Sequence, residues 1–213
     1  MRAVKQAGGT AVMLDRDDVD TDQIIPAEFC KRLGRTGYAD ALFAHWRSDP
    51  DFVLNQPLAA DASVLVGGHN FGTGSSREHA VWALRDWGFR VVLASSFGDI
   101  FYRNALVNGL LAVPLPPDQL DQLRVLLAAR PTVVLVTDLE ACTVTAGELC
   151  FAFGIEPKRR QLLLLGLDDI GNTLLRETEI SRYEAHRTGG LPQVRRGAIS
   201  GRAEPALGRW ARR

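Results

Sequence analysis

Between residues 63 and 80 the chain reads Ser63-Val64-Leu65-Val66-Gly67-Gly68-His69-Asn70-Phe71-Gly72-Thr73-Gly74-Ser75-Ser76-Arg77-Glu78-His79-Ala80. A β-branched apolar run ends in two glycines, and apolar positions at helical spacing (Ala80, Ala83, Leu84, Trp87) follow. That pattern predicts a buried strand, a glycine-rich loop and a helix over 75–87 capped by Gly88. Arg90 to Ala94 then predicts a strand, Phe97 to Asn108 a helix, and Leu110 to Leu115 a strand stopped by Pro116-Pro117. Asp118 to Ala129 is a helix by its leucines at 120, 123, 126 and 127. Strand and helix therefore alternate through the middle of the chain, which argues for a layered α/β domain.

The flanks read less sharply. Residues 10–14 form a first strand, an acidic loop runs from Asp15 to Asp22, and Ala39 to Trp46 looks helical. Val133 to Val136, Ala141 to Thr145 and Leu149 to Phe153 read as a β-meander, and residues 157–187 as mostly helical with breaks at Gly166 and Gly171. The last stretch, Leu191 to Arg213, holds arginines 195, 196, 202, 209, 212 and 213 against one acid, Glu204. This composition predicts one domain over 1–188 and a basic, disordered tail over 189–213. The sharper alternative is an arm that docks on an acidic partner surface.

The loop carries the chemistry. Gly72 and Gly74 permit positive φ and close approach of backbone to a ligand. Free amides at the helix start would form an anion nest. Arg77 adds a planar fork that suits a carboxylate. A plainer reading stands beside it: Ser75 with Glu78 fits a capping box, which satisfies first-turn donors without any ligand. A cation in a first turn is disfavoured by the macrodipole, so Arg77 points to a further use. His79, one turn beyond Ser75, could orient the serine, though a local structural hydrogen bond is the commoner role.

Composition excludes several classes. The 213 residues include as many basic as acidic side chains, so the overall charge makes no case for nucleic acid or membrane. No apolar run reaches the length of a membrane span, and the first residues lack the apolar stretch of a secretion signal. A cytoplasmic protein is expected. Cys30, Cys142 and Cys150 are odd in number and scattered, neither a disulfide framework nor a cluster site. Cys142 and Cys150 flank the meander's hairpin and should pack as small apolar residues.

Four segments together resemble a known family. They are Asp18-Val19-Asp20-Thr21-Asp22-Gln23-Ile24-Ile25-Pro26, Asn70 to Ala80, Ser95-Ser96-Phe97-Gly98-Asp99-Ile100-Phe101, and Gly166-Leu167-Asp168-Asp169-Ile170-Gly171. In order and spacing the chain resembles the small subunits of 3-isopropylmalate dehydratase, in the aconitase superfamily, from about residue 8 to 187. Thr73 stands where many members carry cysteine. The resemblance implies a swivelling β/β/α domain with a C-terminal helical segment. It implies a hydro-lyase of leucine biosynthesis, active only with a large subunit, isomerising 2-isopropylmalate to 3-isopropylmalate by dehydration and rehydration. The nearest alternative is the small subunit of a homoaconitase or another 2-alkylmalate hydro-lyase. This chain would bind no cofactor and no metal; a [4Fe–4S] cluster would sit in the partner.

Carried over residue by residue, the resemblance makes Ser75 the base and Asp22 an aspartate that supports the partner's acid–base groups. Arg77 and Arg35 would bind a small di-acid, with Ser76 and Gly74 beside it. The segment 29–38 would hold the substrate's side group.

Overall fold

A computed structural model of the chain describes residues 2–187. In chain order the elements are β1 (Gln6–Gly9), β2 (Ala11–Met13), α1 (Thr21–Ile24), β3 (Val64–Val66), α2 (His79–Trp87), β4 (Val91–Ala94) and α3 (Asp99–Val107). Then come β5 (Leu111–Pro114), α4 (Pro117–Ala129), β6 (Leu135–Asp138), β7 (Thr143–Ala146), β8 (Leu149–Ala152), α5 (Pro157–Leu165), α6 (Asp169–Leu174) and α7 (Glu177–His186). One compact unit runs to Asn172 and carries both sheets; a second begins at Thr173. The expected tail, 189–213, lies outside the described residues.

The parallel sheet has the order β2-β3-β4-β5, and the antiparallel sheet the order β1-β6-β7-β8. Strands β3 and β4 are buried at every residue. Their alternate side chains feed two different cores. Leu65 and Val92 point with Val12 and Ala112 toward the layer of α2 and α3. Val64, Val66, Val91 and Leu93 point with Leu111 and Val113 toward α4 and the antiparallel sheet, whose Leu135, Val144 and Phe151 complete that core. A parallel sheet covered on both faces shows no polar alternation, so its strands read as continuous apolar runs. The layers are helix, parallel sheet and antiparallel sheet, in agreement with the expected β/β/α architecture.

Several local expectations are corrected. The 39–46 segment is not an α-helix. It forms separate 3-10 turns at Ala39–Ala41 and Trp46–Ser48, because Phe43 takes a positive φ of 46° while its amide donates to the Ile24 carbonyl (2.8 Å). Gly171 does not break a helix. It lies in the first turn of α6 and donates to Asp168 Oδ1 (2.7 Å), whereas Gly166, left-handed at φ 68°, does end α5. Strand β1 was not anticipated from its sequence, Gln-Ala-Gly-Gly. It pairs antiparallel with β6, and at its first rung the Gln6 side chain donates to Asp138 Oδ2 (2.7 Å).

No helix among the described residues is long and apolar enough to cross a membrane.

Candidate active site

Strands β2, β3 and β4 end at one edge of the parallel sheet, where α/β proteins place their ligands. There the three following loops are woven together by backbone hydrogen bonds. Gly68 donates to Arg16 O (3.1 Å), Asp18 to His69 O (2.9 Å), Gly72 to Val19 O (2.7 Å) and Thr21 to Thr73 O (2.9 Å). On the other side Phe71 donates to Ser96 O (3.0 Å) and Gly98 to Phe71 O (2.9 Å). The glycine-rich loop is thus a continuation of β3 held between its two neighbours. Gly98 lies so close to Gly72 that an added Cβ would meet the Gly72 carbonyl oxygen at 2.6 Å. This contact gives the Ser95–Phe101 segment its place in the site.

The acidic loop divides its labour. Asp15 pairs with Arg124 (2.7 Å), Asp17 accepts from the His69 amide (2.6 Å), and Asp18 accepts from the Asn70 side chain (2.8 Å). Asp20 caps α1: its carboxylate accepts from Gln23 N, and the Gln23 side chain accepts from Asp20 N. This reciprocal pair fixes a helix of only four residues. Asp22, the next acid along, accepts a hydrogen bond from the Arg77 guanidinium.

Ser75 stands opposite α1. Its backbone N–H donates to Thr21 Oγ1 (3.1 Å), and its own Oγ lies 2.9 Å from the same oxygen. Thr21 is buried and Ser75 is an exposed residue, so the serine is anchored through its amide and its hydroxyl to a buried partner at the surface of the loop. The capping-box reading of Ser75 and Glu78 does not hold. Helix α2 begins at His79, with Glu78 before it and no side-chain cap. Gly74, at φ 95°, and the Thr21 tie draw the chain off the helix axis before it can start. Glu78 instead accepts from the Asn108 amide (2.6 Å). Arg77 therefore precedes the helix, and the macrodipole argument for it falls away; what holds it is Asp22. That hydrogen bond raises the Arg77 pKa above its already high value, so the guanidinium stays cationic. The expected nest is reduced, because the Ser75 amide is already engaged; the Ser76 and Arg77 amides find no acceptor among the described residues.

Residues 1–118 match the aconitase C-terminal domain family. The small subunit of 3-isopropylmalate dehydratase from Parafrankia sp. (strain EAN1pec) is 53% identical over 184 residues, covering 86% of this chain and 94% of the relative. The chain belongs to the 3-isopropylmalate dehydratase small-subunit family. A small subunit from Nocardia farcinica is 50% identical over 200 residues, 94% of this chain and 99% of its own length. The solved 3-isopropylmalate dehydratase structure from Methanocaldococcus jannaschii superposes with a TM-score of 0.63 at 27% identity, over 83% of this chain and 98% of that one.

Of the site residues expected from the sequence, Ser75, Ser76, Arg77, Gly74 and Asp22 gather at this edge. Arg35 does not join them by any hydrogen bond or ion pair among the described residues. Its guanidinium lies 5.9 Å over the Trp82 ring of α2. The segment that carries it, 29–38, is closed upon itself. Arg32 makes a bidentate pair with Asp40 (2.6 and 2.7 Å) and donates to Gly37 O (2.8 Å). The buried Tyr38 hydroxyl donates to the carbonyls of Arg32 and Gly34 (3.1 and 3.0 Å). At the tip Leu33 is 98% exposed. His79 packs its ring on Trp82 and Tyr38, a local role rather than the orientation of Ser75.

Arg32 holds the Asp40 carboxyl below its usual range, chiefly by their hydrogen bonds. A depressed folded pKa stabilises above the unfolded value and is lost as pH falls through the folded one. The pair is largely exposed and screened by solvent. Asp40→Asn should therefore lower Tm at neutral pH by no more than about 3 °C. In a thermal melt series the gap should close below about pH 4.

The three cysteines lie apart. Cys30 is half-buried in a turn after α1, and burial pushes its thiol pKa up. Cys142 packs against the second core, as anticipated. Cys150 does not; its side chain is exposed on β8. Among the described residues no three His, Cys, Asp or Glu side chains converge to hold a metal.

What sequence reasoning missed is Thr21. It lay inside the recognised Asp18–Pro26 segment, but nothing in that segment marked it as the contact to Ser75.

Proposed function

We propose that the loop edge around Ser75 is this chain's share of a dehydratase site completed by a large subunit. The chain is a 3-isopropylmalate dehydratase small subunit, a hydro-lyase of leucine biosynthesis. The relatives' naming favours this over the homoaconitase alternative. The reading of the site rests on one observation: the hydroxyl of an exposed serine and a guanidinium are fixed on one loop by two consecutive residues of α1, Thr21 and Asp22.

In this reading Ser75 takes the proton from the carbon beside the one that bears the hydroxyl, and returns it in the second half-reaction. Arg77 spends only one of its donors on Asp22, so the rest of its fork is available to a substrate carboxylate. The amides of Ser76 and Arg77, without an acceptor among the described residues, offer further donors for the same negative charge. Gly74 leaves the backbone open to substrate, and Asp22 keeps Arg77 in place while presenting its exposed face to the partner's acid–base groups. Arg35 and Leu33, on one loop tip, offer a cation for the second carboxylate and an apolar contact for the side group. The departing hydroxide needs a Lewis acid, which an iron–sulfur cluster of the partner chain would supply; the dispersed cysteines here fit no such cluster. A cytoplasmic location and a di-acid substrate, with neither nucleic acid nor membrane as partner, belong to the same reading.

The test is anaerobic co-expression with the large-subunit gene of the same organism and an assay on 2-isopropylmalate and longer alkylmalates. Turnover that needs both chains is expected. A complex inactive on every alkylmalate would overturn the reading.

A further inference from the structure

We propose that Thr21 is a positioning residue for the reaction, its hydroxyl donating into Ser75 Oγ and favouring the deprotonated serine. The inference rests on the reading of Ser75 as the base and deepens it.

Thr21 opens α1 and is 1% exposed. Both of its backbone groups are engaged: the amide donates to Thr73 O (2.9 Å) and the carbonyl accepts from Ile25 N (3.0 Å). Its hydroxyl oxygen accepts the Ser75 amide (3.1 Å). The hydroxyl hydrogen then has one acceptor within reach among the described residues, Ser75 Oγ at 2.9 Å. The opposite polarity, with Ser75 donating, would leave a buried hydroxyl hydrogen without a partner, which native structures avoid. So Thr21 donates and Ser75 accepts.

That polarity has two chemical effects. A hydrogen bond to the charged form lowers a group's pKa, and the bond strengthens as the serine loses its proton. It also keeps the outward side of Ser75 Oγ clear of α1, so the alkoxide takes the substrate's proton there and holds it, as the hydroxyl hydrogen, until the second half-reaction returns it. The neighbouring residue on α1, Asp22, holds Arg77, so one capped turn sets both the base and the carboxylate clamp. The plain alternative is a hydroxyl that merely ties the loop down through the Ser75 amide.

Three variants in the assembled two-chain enzyme separate these. Thr21→Val keeps the shape and removes the hydroxyl; Thr21→Ser keeps the hydroxyl; Ser75→Ala removes its acceptor. Thr21→Val should lower kcat about ten- to a hundredfold with KM within about twofold. The rise of kcat with pH should move upward by about one unit, and Thr21→Ser should restore most of the rate. On a Ser75→Ala background Thr21→Val should cost nothing further. A Thr21→Val enzyme with wild-type kcat and pH profile overturns the inference. So does a loss that Thr21→Ser does not restore and that leaves the profile unmoved. If Ser75→Ala itself turns over normally, the base assignment falls first; if Ser75→Ala is dead and Thr21→Val normal, only the role of Thr21 falls.

Discussion

Ser75→Ala should leave the chain folded and bound to its large subunit while turnover falls by about a thousandfold, the scale of a lost proton-transfer group. The residue is exposed and its side chain makes one hydrogen bond among the described residues, with Thr21. Its removal should change stability by no more than about 1 kcal/mol. Substrate binding should persist, because the cation proposed to meet the carboxylate, Arg77, is held by Asp22 and not by the serine. The check is single-turnover and steady-state kinetics beside a thermal melt and gel filtration of the complex. Near-native kcat would remove Ser75 from the chemistry.

Gly72→Ala should do the reverse and damage the fold before the chemistry. Gly72 sits at φ 76°, and an added Cβ would lie 2.2 Å from Cγ of Phe101. That ring cannot retreat, since it is buried and packed on Phe71 and Phe97. Left-handed strain and overpacking together should cost about 2–5 kcal/mol, read as a lower urea midpoint. Gly34→Ala is the control. It has a comparable backbone angle, φ 99°, but nothing within 4 Å of the added atom. It should show the conformational penalty alone. Equal losses at the two positions would mean that the Phe101 contact has no weight.

The sequence disclosed what depends on side-chain pattern and concealed what depends on backbone. Strands β3, β4 and β5 were legible because burial on both faces leaves unbroken apolar runs. Helix α4 was legible because Leu120, Leu123 and Leu127 mark its buried face. Strand β1 was hidden because its pairing needs the absence of side chains. A Cβ at Gly8 would meet the Leu135 carbonyl oxygen at 2.0 Å, so the strand is made by residues with low strand propensity. The false helix at 39–46 and the false helix start at Ser75 share one cause. In each, a long-range hydrogen bond, Phe43 to Ile24 or Ser75 to Thr21, takes the amide elsewhere. The residues proposed for the site near Ser75 came from the family's loop motif. Of the two α1 residues that hold them, Asp22 was named but not as the partner of Arg77, and Thr21 was not named at all, because these partners lie 55 and 54 positions away.

The self-closure of the 29–38 segment has a consequence for how such a protein diversifies. Arg32, Tyr38 and Asp40 secure its base, while at the tip Leu33 belongs to neither core and Arg35 only lies over the Trp82 ring. Changes at the tip are thus nearly uncoupled from stability, whereas the woven edge around Ser75 can scarcely drift at all. If the tip meets the substrate's side group as proposed, a lineage could retune that preference by altering a few exposed letters and inherit the edge around Ser75 unchanged.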